Sequence, residues 1–125
     1  MKKAISTSAA PAAVGPYSQA VTADGFIFTS GQIPLDREGH LIEGDFGAQA
    51  RQCLENIKAI LEAAGAGMED LVKVTIFVTD MRSFPAINEV YRDFFKEKPP
   101  ARSFIEVMAL PKGAKIEIEG IAVFK

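Results

Sequence analysis

The sequence has little cysteine, no tryptophan and no long hydrophobic run. The only cysteine, Cys53, excludes an intrachain disulfide framework and fits a reducing compartment. No stretch approaches the roughly 18 apolar residues that a membrane-spanning helix needs. Lys2 and Lys3 are not followed by the apolar segment of a signal peptide. We therefore expect a cytoplasmic protein with no membrane partner.

The chain also lacks a strong charge of either sign, with 14 Lys and Arg against 16 Asp and Glu. It shows no basic stripe and no interleaving of basic and aromatic residues, which argues against a nucleic-acid partner. The single histidine, His40, and Cys53 give no metal-ligand spacing, so no metal site is predicted. The Gly65-Ala66-Gly67 segment lacks the lysine and the spacing of a phosphate-binding loop.

What the sequence does contain predicts one domain over residues 1–125. A hydrophobic content of 48% at this length is enough for a core without disulfides. Periodicity predicts two helices, one from Phe46 to about Ala64 capped by Asp45, and one from Ser83 closed by Pro99 and Pro100. It predicts strands at 18–21, 26–31 and 71–79, after Pro100, at 115–124, and a further strand at 3–7. This order predicts an α+β fold with two helices on one face of a single sheet.

The two faces of that sheet are expected to differ. The helices should cover the side formed by Val72/Val74, Ile105/Val107 and Ile116/Ile118. The opposite side would then be apolar, with Phe28, Phe77, Phe104, Ile121 and Val123. Such a face is too apolar to remain in water, and a homo-oligomer is the simplest way to cover it.

The most informative residue is Arg102, which follows the double proline Pro99-Pro100 at the start of a predicted strand. A guanidinium there must pair within the chain or bind an anionic ligand. The next strand places Glu117 and Glu119 on one face. We expect these two strands to be neighbours, so that the three charges form either a binding site or a salt bridge. The spacing alone favours neither.

Several motifs together resemble the RidA family, also called YjgF/YER057c/UK114. They are Gly15-Pro16-Tyr17-Ser18-Gln19-Ala20, Thr29-Ser30-Gly31-Gln32-Ile33-Pro34, Asn88-Glu89-Val90-Tyr91, Pro100-Ala101-Arg102-Ser103, Leu110-Pro111-Lys112 and Ile116-Glu117-Ile118-Glu119. The resemblance implies a chorismate-mutase-like fold with a mostly antiparallel sheet. It also implies a homotrimer with pockets between subunits and no cofactor.

The implied reaction is hydrolysis of 2-imino acids, such as 2-iminobutanoate and 2-iminopropanoate, to 2-oxo acids and ammonia. These imines are reactive intermediates of dehydratases that use pyridoxal phosphate. By resemblance, Arg102 holds the substrate carboxylate and Glu117 activates the attacking water. The other residues implied at the substrate site are Tyr17, Ser30, Gly31, Phe84, Asn88 and the backbone carbonyl of Phe104.

Two positions depart from the family pattern. Many members have cysteine where this chain has Phe104, and a small residue where it has Met108. Because adding water to an imine needs no covalent nucleophile, we expect the activity to survive and the pocket to favour small side chains. Cys53 is expected in the core and His40 in a polar loop. Two alternatives stay open: a small-ligand or chaperone-like binding module, and an RNA-binding or endoribonuclease role.

Overall fold

The computed structural model describes residues 1–124. The sheet strands are β1 (Lys3–Ile5), β2 (Ala20–Ala23), β3 (Phe26–Thr29), β4 (Leu71–Val78), β5 (Ala101–Glu106) and β6 (Ile116–Val123). The helices are α1 (Phe46–Ala63) and α2 (Phe84–Phe94), with short 3-10 turns at Met68–Asp70, Met81–Ser83 and Pro111–Gly113. Within residues 1–124, neither helix is long and apolar enough to cross a membrane.

The six strands form one sheet in the order β1-β2-β3-β6-β4-β5. Every neighbouring pair is antiparallel except β4 and β5, which run parallel. The predicted α+β architecture and mostly antiparallel sheet are therefore confirmed. The expectation that β5 and β6 are neighbours is wrong, because β4 lies between them. Helix α2 connects β4 to β5 as a parallel crossover, and this leaves β5 at the edge.

Helix α1 packs its apolar stripe on one face of the sheet. The Asp45 carboxylate accepts a hydrogen bond from the Ala48 N–H at 2.9 Å, which satisfies a free donor at the helix start. Ala50, Cys53, Ile57 and Ile60 are fully buried. They join a core cluster that also includes Ile76, Ile116 and Ile118 from the sheet, and Ile87 and Tyr91 from α2. Both helices therefore cover the same face, as predicted.

Helix α2 begins at Phe84, directly after Ser83 as predicted, and differs from the prediction at its C-terminal end. The Ser83 hydroxyl donates to the Asp80 carbonyl at 2.6 Å and caps no helix N–H. The helix ends at Phe94, before Pro99. Between these two residues, Lys98 has a positive φ of 46°, so the chain has already left the helix before the prolines.

The faces of β4 and β5 also correct the prediction. A register shift between Leu71 and Lys73 leaves Val72 43% exposed. Ile105 is opposite Phe77 and is 41% exposed. In the same parallel register, Arg102 is opposite Val74 and Phe104 is opposite Ile76. Arg102 and Phe104 consequently lie on the helix-covered face, whereas Ile105 lies on the open one.

The open face of the sheet is apolar, as expected from the sequence. Phe28 and Val123 are about 40% and 39% exposed. Phe77 and Ile121 are on the same side, since they are opposite Glu117 and Lys73 in the β4–β6 register. Phe104 does not belong to this face, contrary to the prediction. No helix of the described chain covers the open face, so its aromatic and aliphatic side chains remain in contact with water.

Candidate active site

The residues predicted for the site fall into two separate groups. The first group surrounds a cavity of about 510 Å³ at the end of the open face. Tyr17, Ser30, Gly31 and Glu117 all line this cavity. Its walls come mainly from loops, and the remaining lining residues are Pro11, Ala12, Val14, Gln19, Gln32, Ile33, Leu35, Arg37, Glu38, Gly39, Pro111 and Lys112.

Gly31 makes room for the Glu117 side chain. A Cβ atom placed on Gly31 would lie 2.7 Å from Glu117 Cδ and 3.0 Å from its Cγ, which is inside van der Waals contact. Beside Gly31, the Ser30 hydroxyl donates to the Ser18 carbonyl at 2.5 Å, and the Ser30 N–H donates to the Gln19 carbonyl at 2.9 Å. These bonds tie the Ser30–Gly31 segment to the Tyr17 segment. Both segments thereby face the same carboxylate.

Glu117 is electrostatically unusual for a surface carboxylate. Burial raises its pKa above the ordinary value of 4.5, and repulsion from Glu119 raises it further. Within residues 1–124 its oxygens accept no hydrogen bond and meet no cation. A half-buried carboxylate without a partner and with a raised pKa is suited to accept and return a proton.

The structure adds Gln19, whose role the sequence did not reveal. It is 4% exposed, and its amide nitrogen donates to the carbonyls of Thr7 and Pro11 at 3.1 and 2.7 Å. Its amide oxygen accepts from the Thr7 N–H at 2.7 Å. Gln19 therefore fixes the 7–11 segment, which leads into the cavity wall. Its position two residues after Tyr17 in the motif was the available signal.

The second group surrounds Arg102 at the edge strand β5. Its Nη1 donates to Asn88 Oδ1 on α2 at 2.8 Å. The guanidinium carbon lies 5.5 Å from the ring centre of Phe84, 4.8 Å from that of Tyr91 and 5.4 Å from that of Phe104. Phe84, Asn88, Arg102 and Phe104 are thus together, as predicted. Tyr91 was missed, because its place on the apolar stripe of α2 indicated a core residue only.

The two groups do not meet within one chain. Glu117 lies on the open face of β6, whereas Arg102 lies on the helix-covered face of β5, with β4 between the two strands. Across the described part of the chain they form no ion pair, so the internal salt bridge that the sequence left open is not present.

The remaining residues considered from the sequence have ordinary surroundings. Cys53 is fully buried, and burial raises the pKa of its thiol well above the usual value, which keeps it protonated. The His40 side chain is exposed in the loop before α1. Met108 is fully exposed and lines neither group. Residues 1–124 contain no cluster of acidic, histidine and cysteine side chains that could hold a metal ion.

Comparisons with known proteins show the family of the chain and the similarity of its fold to solved structures. The model of the family described as endoribonuclease L-PSP matches residues 7–124. A protein of Salmonella typhimurium named 2-iminobutanoate/2-iminopropanoate deaminase is 52% identical over 126 residues, which cover 98% of each chain. A crystal structure from Thermotoga maritima has a TM-score of 0.97 at 50% identity and covers 100% of this chain and 99% of its own. Escherichia coli TdcF, solved with bound serine, has a TM-score of 0.93 at 48% identity, covering 98% and 99%.

Proposed function

The chain belongs to the endoribonuclease L-PSP family, also known as YjgF/RidA, and from this premise we propose that it hydrolyses 2-imino acids to 2-oxo acids and ammonia. The observation that supports this most is the contrast between two unpaired charges. Among residues 1–124, Glu117 is a carboxylate with a raised pKa and no hydrogen-bond or ion-pair partner, and Arg102 is a guanidinium with no carboxylate partner. An imino acid can use both charges. Its carboxylate suits Arg102, and the water that attacks its imine carbon needs a proton acceptor nearby.

The reaction assigns a separate task to each group. Arg102 binds the substrate carboxylate through charge-assisted hydrogen bonds. Glu117 takes a proton from water as the water oxygen bonds to the carbon of the protonated imine, and the π electrons of the C=N bond move onto nitrogen. Glu117 then returns this proton to the amino group of the tetrahedral intermediate. The C–N bond breaks, ammonia leaves with the bonding electron pair, and the hydroxyl proton passes through Glu117 to solvent as the carbonyl of the 2-oxo acid forms. No oxidation or reduction occurs, so these steps require no redox cofactor.

Both groups can act on one substrate only if a second copy of the chain supplies one of them. Their places on opposite faces of the sheet are incompatible with a shared small ligand inside one chain. The apolar open face gives such a copy a surface to cover. We therefore propose that the protein is a homotrimer, with the Arg102 group of one subunit placed against the Glu117 cavity of the next.

The proposed substrates are small, with 2-iminopropanoate and 2-iminobutanoate as the first candidates. Phe84 and Phe104 pack against each other with ring centres 4.7 Å apart, directly beside Arg102. Two aromatic rings next to the carboxylate anchor limit the space for a bulky side chain. The serine seen in TdcF is a ligand of matching size. Substrates of this kind arise from dehydratases that use pyridoxal phosphate, and we propose that this protein removes them in the cytoplasm.

The family description also raises RNA cleavage as a second candidate. The net charge of −2 and the apolar lining near Glu117 give little attraction to a phosphate backbone. A binding or chaperone-like module is the third candidate. It would use the same cavity without turnover.

A coupled assay tests the proposal. A threonine dehydratase generates 2-iminobutanoate in place, and appearance of 2-oxobutanoate is followed with and without this protein. We expect a catalytic acceleration that is proportional to protein concentration, and light scattering that reports a trimer at micromolar concentration. A stable monomer would contradict the shared site. Binding of 2-oxobutanoate without any acceleration would favour the binding module, and cleavage of single-stranded RNA would favour the second candidate.

A further inference from the structure

The surroundings of Arg102 suggest that the aromatic residues beside it position its side chain. In the chain that the structure describes, Arg102 has no carboxylate partner, and only one of its five N–H donors is used. A long side chain in that state would ordinarily move among many rotamers. Here its guanidinium lies within 6 Å of three aromatic rings, a distance at which each ring attracts a cation.

We propose that Tyr91, Phe84 and Phe104 form an aromatic cage that holds the Arg102 guanidinium, with Tyr91 as its central positioning residue. Tyr91 is the nearest of the three, at 4.8 Å, and is 6% exposed at the junction of α2 and the sheet. Asn88, one turn earlier on α2, fixes one nitrogen of the guanidinium. The cage fixes the arginine without using its charge on an internal carboxylate. Its free donors stay available for the substrate.

The ring of Tyr91, and not its hydroxyl, performs this task. The hydroxyl is fully buried and is the one such side-chain atom without a hydrogen-bond partner among the described residues. Burial raises the pKa of Tyr91 to about 12, so it is neutral and offers Arg102 no phenolate charge. No ligand can reach an atom that is inaccessible to solvent. The face of the aromatic ring is therefore what Tyr91 presents to the guanidinium.

Phe104 supplies the third ring of the cage, 5.4 Å from the guanidinium carbon of Arg102. It is partly buried against the core, and its ring packs at a tilt of 60° against that of Phe84, beside Arg102. We therefore expect removal of either Tyr91 or Phe104 to loosen the arginine. For Tyr91, which is buried, the effect should pass through Arg102 and not through any contact with the substrate.

Five variants test the cage, one of them for assignment of the resonance and one as a control. Only the binding measurement depends on the proposed function. The ring currents of the cage should shift the side-chain N–H resonance of Arg102 upfield, and this resonance is assigned with Arg102→Lys. Tyr91→Leu and Phe104→Leu should move it toward the value of a free arginine and weaken 2-oxobutanoate binding in calorimetry about 3- to 30-fold. Tyr91→Phe should keep both parent values. Ile57→Val, a matched core change away from Arg102, should also keep both while lowering stability.

If the Arg102 resonance stays at its parent position in the folded leucine variants, the proposed aromatic cage is wrong. If Tyr91→Phe weakens binding as much as Tyr91→Leu, the hydroxyl acts and the ring does not. If the Arg102 resonance moves but the affinity for 2-oxobutanoate is unchanged, the rings do not position Arg102 for the ligand. If Tyr91→Leu does not fold, Phe104→Leu at the partly exposed edge strand gives the result. If the parent neither binds 2-oxobutanoate nor turns over imine, the proposed function fails, and the resonance alone decides the cage.

Discussion

The Glu117 group and the Arg102 group show opposite ways of preparing a charge for a ligand. Arg102 is fixed by an amide and three rings at the edge of the sheet, on the face that the helices cover. Glu117 is on an interior strand of the sheet, on the open face, with no hydrogen bond within residues 1–124. The cation is held in place, whereas the carboxylate is kept without a partner and its pKa is raised.

The difference fits the two roles that we propose for these groups. An anchor has to keep one position while its charge stays constant, and arginine stays protonated in proteins. A proton acceptor has to change its charge during turnover, and a strong hydrogen-bond partner would lower its pKa and its basicity. The fold therefore supplies order around one group and desolvation around the other.

The largest effect should come from Glu117→Gln, which keeps the shape of the side chain but cannot accept a proton. We expect deamination to slow by about 10²–10⁴, the usual contribution of general acid–base assistance. Binding of 2-oxobutanoate should remain close to the parent value. The coupled assay and calorimetry measure the two quantities separately. Turnover at the parent rate in a folded variant would mean that Glu117 is not the base.

Arg102→Ala should act on binding first. Loss of a charged hydrogen-bond donor costs about 1.5–3 kcal/mol, which corresponds to a roughly 10- to 150-fold weaker affinity for 2-oxobutanoate. Turnover should fall as well, because the substrate is no longer oriented. Arg102→Lys keeps the charge without the planar fork of donors, so its affinity for 2-oxobutanoate should lie between those of the alanine variant and the parent. Equal affinities in calorimetry for the alanine variant and the parent would refute the anchor.

Gly31→Ala should disturb the base without disturbing the fold. The added methyl meets the end of a flexible Glu117 side chain, so the carboxylate moves and the backbone does not need to. A displacement of about 1 Å costs up to about a hundredfold in rate, and we expect a loss of ten- to a hundredfold in the coupled assay. Gly47→Ala is the matched control, since its Cβ meets only ordinary contacts at 3.4 Å and beyond on the far helix face. If both variants keep parent activity, Gly31 does not set the position of Glu117.

The smallest effect should be on stability against pH. Burial raises the pKa of folded Glu117 above its ordinary value of 4.5, so the folded state binds this proton more tightly than the unfolded state. The resulting stabilisation is present below the unfolded pKa and is lost as pH rises through the folded pKa. Glu117→Gln should therefore melt slightly higher than the parent at pH 7, and the gap should close below about pH 4. Thermal melts at both values measure it, and a lower melting temperature for the variant at pH 7 would contradict the raised pKa.

Much of the fold was predictable because its signals are local. The stripe of α1, its Asp45 cap and the alternation of β6 depend on residues close in sequence, and all three predictions are confirmed. The placement of β4 between β5 and β6 was not predictable in this way, because pairing of distant strands leaves no local pattern. The register shift at Val72 and the parallel register at Ile105 have the same origin.

The grouping of the site residues could not be predicted from the sequence. The motifs placed Tyr17, Ser30, Gly31, Phe84, Asn88, Arg102, Phe104 and Glu117 in one substrate site, whereas the structure divides them into two groups within one chain. Their separation depends on which face of the sheet each side chain lies on, and a shift of one residue in the β4–β5 register would move Arg102 to the other face. The position of Tyr91 beside Arg102 was not predicted, because an aromatic residue that contacts a cation and one that fills a core occupy the same positions in the helical pattern.

Mixing two inactive variants tests most directly whether the two groups from different subunits form one site. Arg102→Ala and Glu117→Gln chains are refolded together at equal amounts, and mixed trimers are verified by native mass spectrometry. If each site takes Glu117 from one subunit and Arg102 from another, random assembly gives about a quarter of the sites both native groups. The coupled assay should then recover about a quarter of the parent rate. Mixed trimers that remain as inactive as the separate variants would contradict the shared site.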